Sequence, residues 1–164
     1  MKLETERLAL VPLSARQLRL WIEDLPELER EMNCFYRAEP LEGEFLNILR
    51  QQLELVERDG AHLLFHTFWL LIRREDRVVV GSADFKNVPD QAGNVEIGYG
   101  LGEAYCGSGY MTEAVAQMCC WALSQPGIAH VIAETERKNI PSQRVLERCG
   151  FIQYFAGNTL WWKR

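Results

Sequence analysis

Residues Glu103 to Ala114, Glu-Ala-Tyr-Cys-Gly-Ser-Gly-Tyr-Met-Thr-Glu-Ala, constrain this chain more than any other stretch, because they join a strand-like segment, Val95 to Leu101, to an apolar-periodic run that reads as a helix. The first backbone N–H groups of such a helix have no intrahelical partner. Glycines at 107 and 109 remove the side chains that would hold an oxygen anion away from those amides, and the aligned peptide dipoles favour negative charge at the helix start. The loop lacks the Lys-[Ser/Thr] ending of a nucleoside-triphosphate loop, and the third glycine of a dinucleotide fingerprint falls on Thr112 when the count starts at Gly107. A pyrophosphate held by backbone alone fits what remains. Taken by itself, the loop also reads as a plain strand-to-helix turn.

The periodicity around this junction alternates between helix and strand. Arg7 to Leu13 reads as a strand, and Ser14 with Gln17 forms a capping-box signal for a helix running towards Asp24. A short helix follows Pro26, and Leu41 to Arg58 has helical apolar spacing, ended by Asp59-Gly60. Leu63 to Arg73 and Val78 to Phe85 read as strands joined by Arg74-Glu75-Asp76, and a turn-rich segment, Asn87 to Asn94, leads into Val95 to Leu101. After the glycine loop come a helix from about Gly109 to Ser124, a strand from Ile128 to Thr135, and a short helix near Pro141 to Cys149. Two strands near Phe151 to Phe155 and Thr159 to Trp162 follow. This order predicts an α+β fold, a mixed and mostly antiparallel central sheet with helices on both faces. No repeat or linker interrupts it, so residues 1–164 are expected to form a single domain.

A chain of 164 residues can bury roughly two-thirds of its unfolded surface and needs no covalent staples. Its 18 basic and 23 acidic residues give a net charge of -5, which argues against nucleic acid or an anionic membrane as partner and weakly favours a cationic one. Five cysteines, with no C-x-x-C and one adjacent pair, suit a reducing cytoplasm better than a disulfide framework. Met1 to Glu6 is polar and unlike a signal peptide. The longest apolar stretch, near Leu63 to Ile72, is interrupted by His66 and Thr67 and is too short to span a bilayer.

The strand Val95-Glu-Ile-Gly-Tyr-Gly-Leu101 places Gly98 and Gly100 on the same side of the pleat as Glu96. Glycines inside a strand mark a bulge or a close approach by another backbone or a ligand. An extended amide-bearing ligand lying along this strand would lead its phosphates into the loop beyond, which is the shape of pantetheine followed by pyrophosphate.

The segment from Val95 to Phe151 resembles the core of the GNAT superfamily of N-acetyltransferases, and more particularly its ribosomal-protein N-terminal acetyltransferase-like subgroup. The family signature Gln/Arg-x-x-Gly-x-Gly/Ala falls on Cys106-Gly107-Ser108-Gly109-Tyr110-Met111, where Gly109 matches while Cys106 and Met111 depart; Thr112-Glu113-Ala114 continues as in the subgroup. The second signature, an Asn before a short helix ending in Leu-Glu-x-x-Gly-Phe, is similar to the stretch from Asn139 to Phe151. Glu4-Thr-Glu-Arg-Leu8 also fits the subgroup, whereas Leu25 to Leu71, where the family builds its acceptor pocket, matches poorly.

The resemblance implies a sheet splayed at a cofactor cleft and acetyl transfer from acetyl-CoA to an amine, a protein N-terminus or a small molecule, by direct attack on the thioester. It also implies that Tyr99, Gly100 and Leu101, then Cys106, Gly107, Ser108, Gly109, Tyr110, Met111 and Thr112, then Asn139 and Ser142 hold the cosubstrate, with no metal. Such chemistry needs a neutral amine, a stabilised oxyanion and a proton for the departing thiolate. Backbone amides at the expected glycine bulge would stabilise the oxyanion. Many family members place a tyrosine acid where this chain has Leu146, so Ser142 is assigned as the thiol-proximal acid; capping its helix is the equal alternative. Glu96 is the first candidate for the base and Glu134 the second. His62 and His66 lack the glutamate of a zinc H-E-x-x-H and read as lining or packing residues, and His130 as structural. Cys106 reads as a reactive thiol near a helix start or, more simply, as a small loop residue. Trp161 and Trp162 read as core or as the edge of a homodimer. Outside the enzyme class, a CoA-binding sensor or interaction module without turnover is the alternative.

Overall fold

The structure, a computed structural model, describes all residues 1–164. Nine strands, β1 (Leu3–Glu4), β2 (Leu8–Pro12), β3 (Phe35–Tyr36), β4 (Phe68–Arg73), β5 (Val78–Phe85), β6 (Asn94–Leu101), β7 (His130–Glu136), β8 (Ile152–Ala156) and β9 (Thr159–Lys163), form one sheet of order β1-β2-β4-β5-β6-β7-β9-β8, with β3 beside β5. Neighbours along this order are antiparallel except β6 and β7. That parallel pair is short. It registers only Asn94 with His130, Val95 with Val131 and Glu96 with Ile132, and the strands part beyond it.

Six helices cover the sheet: α1 (Ala15–Glu23), α2 (Leu25–Met32), α3 (Gly43–Arg58), α4 (Leu63–His66), α5 (Tyr110–Leu123) and α6 (Ile140–Arg148). Side-chain caps start three of them, α1, α2 and α6. Ser14 accepts from the Gln17 N–H while Gln17 accepts from the Ser14 N–H, a complete capping box for α1. Asp24 caps α2, with Pro26 in its first turn, and Asn33 ends it in the left-handed conformation at φ 49°.

The pleat sends alternate side chains of β4 and β5 into two cores. Trp69, Leu71 and Val80 pack under α5 with Ala114, Val115 and Met118. Phe68, Leu70, Ile72 and Val79 pack under α1 and α3 with Leu18, Trp21, Leu49 and Leu53. Because Trp21 is fully buried and meets Tyr36, Phe45 and Phe68 edge-on, its truncation to alanine should cost about 3–5 kcal/mol.

Two expectations need correction. Leu63 to Arg73 is not one strand: Leu63–His66 is a helical turn and the strand begins at Phe68. A short apolar run does not reveal its period, and here Asp59 decides it, lying 2.8 Å from His62 Nδ1 and 3.0 Å from His66 Nε2. Nor does β6 bulge at its glycines, since its pairing with β5 runs unbroken from Ile97 to Leu101; the register shift lies between Leu71 and Ile72 of β4.

Candidate active site

The parting of β6 from β7 makes the site. Lys86 N–H donates to Glu96 O and Gly102 N–H to Val80 O, so even-numbered residues of β6 turn their amides towards β5 and odd-numbered ones towards β7. Pairing with β7 has ended by then, which leaves the N–H groups of Tyr99 and Leu101 facing the gap. On the α5 side of the gap, a cavity of about 610 Å³ is lined by Tyr99, Gly100, Leu101, Cys106, Gly107, Gly109, Met111, Thr112, Asn139 and Ser142. Pro141, Arg144, Val145 and Arg148 of α6 join them. Arg144 and Arg148 stand one helical turn apart and give this cavity a basic wall.

Gly107 and Gly109 have φ of 81° and 80°, a left-handed backbone that costs glycine little and other residues more. A Cβ on Gly109 would also stand 3.3 Å from Arg7 Nη2. Arg7 explains the shape of the loop: its Nε lies 2.9 Å from Glu113 Oε2, its Nη1 donates to Ser108 O at 2.9 Å, and its guanidinium lies 4.3 Å above the Tyr110 ring. Thr5 donates to the same Glu113 carboxylate. The Glu-Thr-Glu-Arg-Leu segment is thus a brace for the glycine loop. Ser108 and Tyr110 serve that brace and do not line the cavity.

Across the gap, facing α3, lies a second cavity of about 920 Å³, which shares Tyr99, Gly100, Asn139 and Ser142 with the first. Its charge is opposite: Glu39, Glu44, Asp84, Glu134 and Glu136 line it against Lys86 alone. Glu96 lies just outside this lining, with its carboxylate 2.6 Å from Lys86 Nζ. Glu134 accepts a hydrogen bond from Thr159 Oγ1 at 2.7 Å. Burial pushes the Asp84 carboxyl up to about 7, Lys86 pulling it down and Glu96 adding to the rise. It makes no hydrogen bond. Burial also raises Glu39.

Asp84 was missed in the sequence although a sign was there, a carboxylate in the otherwise apolar or small run Val-Val-Val-Gly-Ser-Ala-Asp-Phe. Glu39, in a poorly matched loop, gave none. The strand glycines of β6 have a physical explanation in these two residues: a Cβ on Gly98 would meet Asp84 Oδ1 at 2.8 Å, and one on Gly100 would overlap the Glu39 carboxylate.

Ser142 sits at the junction of the two cavities, its Oγ 2.9 Å from the Tyr99 hydroxyl. Burial, partly offset by Ser142, pushes that hydroxyl up to about 12. The helix cap is Asn139, whose Oδ1 accepts from the Ser142 N–H, so the Ser142 hydroxyl is not used for capping. Leu146 is fully buried. Cys106 is exposed, with its sulfur 3.7 Å from Gly102 O. His130 is exposed at the start of β7, and no group of three or more His, Cys, Asp or Glu side chains is arranged to hold a metal ion.

A parted parallel strand pair, a glycine loop opening a helix and a basic cavity joined to an acidic one define an acyl-CoA-dependent transferase fold. The acetyltransferase (GNAT) domain family matches residues 7–152, and the chain belongs to that family. It is 27% identical over 153 residues to the uncharacterized N-acetyltransferase YjdG of Bacillus subtilis, covering 87% of this chain and 90% of that protein. The ribosomal-protein-S5-alanine acetyltransferase of Vibrio fischeri superposes with a TM-score of 0.70 at 16% identity, covering 100% of this chain and 96% of the other. Mycobacterium smegmatis RimJ, solved with CoA-disulfide, gives 0.67 at 17% identity, covering 100% of this chain and 87% of the other. These likenesses establish the fold, and family membership makes the chain an acetyl-CoA-dependent N-acetyltransferase.

Proposed function

We propose that residues 1–164 form one cytoplasmic N-acetyltransferase domain that moves the acetyl group of acetyl-CoA to a primary amine by direct attack across the gap between β6 and β7, without a metal. The observation that carries this reading is the meeting of a basic and an acidic cavity at Tyr99, Gly100, Asn139 and Ser142. A basic cavity beside left-handed glycines suits a pyrophosphate, and an acidic one suits an ammonium.

In the balanced step, the amine lone pair forms the C–N bond, the C–S bond breaks, and the nitrogen loses a proton while the sulfur gains one. Asp84 is the base: its unpaired carboxyl overlies Gly98 and titrates near neutrality, where a proton acceptor works best. Glu96, first in the sequence reading, is tied to Lys86 and acts through it on Asp84, and Glu134 is held by Thr159. The Tyr99 and Leu101 N–H groups face the developing oxyanion. Ser142 gives its proton to the departing sulfur and is resupplied through the Tyr99 hydroxyl. Self-association as a homodimer is assigned to the edge strand β8, where Ile152, Tyr154 and Phe155 are exposed, rather than to Trp162, which is buried.

Release of free thiol from acetyl-CoA in the presence of amines tests the function. Ser142→Ala should slow release about tenfold or more for every acceptor, because the leaving group is common to all. Tight CoA binding without any thiol release would instead establish a sensor.

A further inference from the structure

The acceptor cavity carries more negative charge than the removal of one proton requires. Two of its carboxylates stand apart from the rest. Asp84 is 6% exposed and Glu39 is half-buried, and neither makes a hydrogen bond or ion pair. Their oxygens open onto the cavity without a protein donor, an arrangement that costs an ionised group part of its hydration and suits a ligand that supplies donors. Each occupies the space above a strand glycine, Asp84 over Gly98 and Glu39 over Gly100. Two residues of extended strand place these glycines roughly 7 Å apart. Phe45 and Ile48 of α3 add an apolar wall to the same cavity.

We infer that the acceptor is a short aliphatic diamine or polyamine, whose reacting amine faces Asp84 and whose second ammonium is held by Glu39, with the alkyl spacer against Phe45 and Ile48. The inference rests on the reading of this cleft as the acetyl-transfer site. A monoamine of the same length leaves Glu39 without a donor. An N-terminal peptide with an acidic side chain brings a further negative charge into the acidic wall.

The test measures thiol release from acetyl-CoA with butane-1,4-diamine, butan-1-amine, 4-aminobutan-1-ol and a hexapeptide with a free N-terminal alanine. The diamine should exceed butan-1-amine in kcat/KM by about tenfold to hundredfold, the range for a charge-assisted hydrogen bond, and 4-aminobutan-1-ol should fall between them. Glu39→Gln, with its fold checked by circular dichroism, should bring the diamine-to-monoamine ratio close to one. If that variant does not fold, the ratio in the unmodified enzyme decides alone. Turnover with equal kcat/KM for diamine and monoamine, preference for the hexapeptide, or a ratio untouched in folded Glu39→Gln overturns the inference while leaving acetyl transfer standing. No thiol release with any of the four amines overturns the transfer reading itself.

Discussion

A carboxyl raised by burial, as that of Asp84 is, leaves a mark on stability as well as on rate. With an ordinary value of 3.8 and a folded value of about 7, the folded state holds the proton more tightly than the unfolded chain does. Stability therefore falls as pH rises between these two values, opposite in sign to a salt-bridged carboxylate. Asp84→Asn removes that penalty. It should raise the melting temperature at pH 8, by an upper limit of about 4 kcal/mol of stability, and give no gain near pH 4. The same variant should lower turnover about 10²-fold, and the rise of kcat/KM through neutral pH should disappear. A melting series against pH and a rate profile check the two halves separately. Tyr99→Phe should lower turnover less than Ser142→Ala, since the tyrosine stands behind the serine.

At the scale of elements, the glycine loop and its brace act as one unit. Gly109→Val puts a β-branched residue at φ 80° beside Arg7, so CoA affinity should fall about tenfold or more while the far-UV spectrum stays native. Arg7→Gln should weaken CoA binding in the same direction without lining the cavity, because Glu113 and Ser108 lose the guanidinium that fixes the loop. Calorimetric titration with CoA checks both. The loop, α5, α6 and β6 were legible in the sequence because glycine spacing, caps and apolar period are local signals. The turn at Leu63–His66 was not, because Asp59 fixes it through side chains that no periodicity records. The same holds for the site: Ser142 and Gly109 belong to contiguous motifs, whereas Asp84 and Glu39 reach the glycines of β6 from other segments of the chain. Only pairing Asp84 with Gly98 across the β5–β6 ladder reveals the contact.

For the molecule as a whole, acetyl-CoA at a hundredfold excess over its dissociation constant should stabilise the fold by about 2.7 kcal/mol. That corresponds to a rise of roughly 5–10 °C in melting temperature for a domain of this size. Thermal scans with and without acetyl-CoA check it, and no shift at saturation would contradict the assigned binding site. The same gap can be seen from the side of mechanics. The strands β1 to β6 and the strands β7 to β9 are two half-sheets sewn together by three residue pairs, with α5 laid across the seam. The Tyr99 and Leu101 amides therefore lack a neighbouring strand, and a bound molecule that engages them supplies the stitches the chain leaves out. Binding there should tighten the seam, and hydrogen exchange at the β6 and β7 amides with and without acetyl-CoA measures by how much.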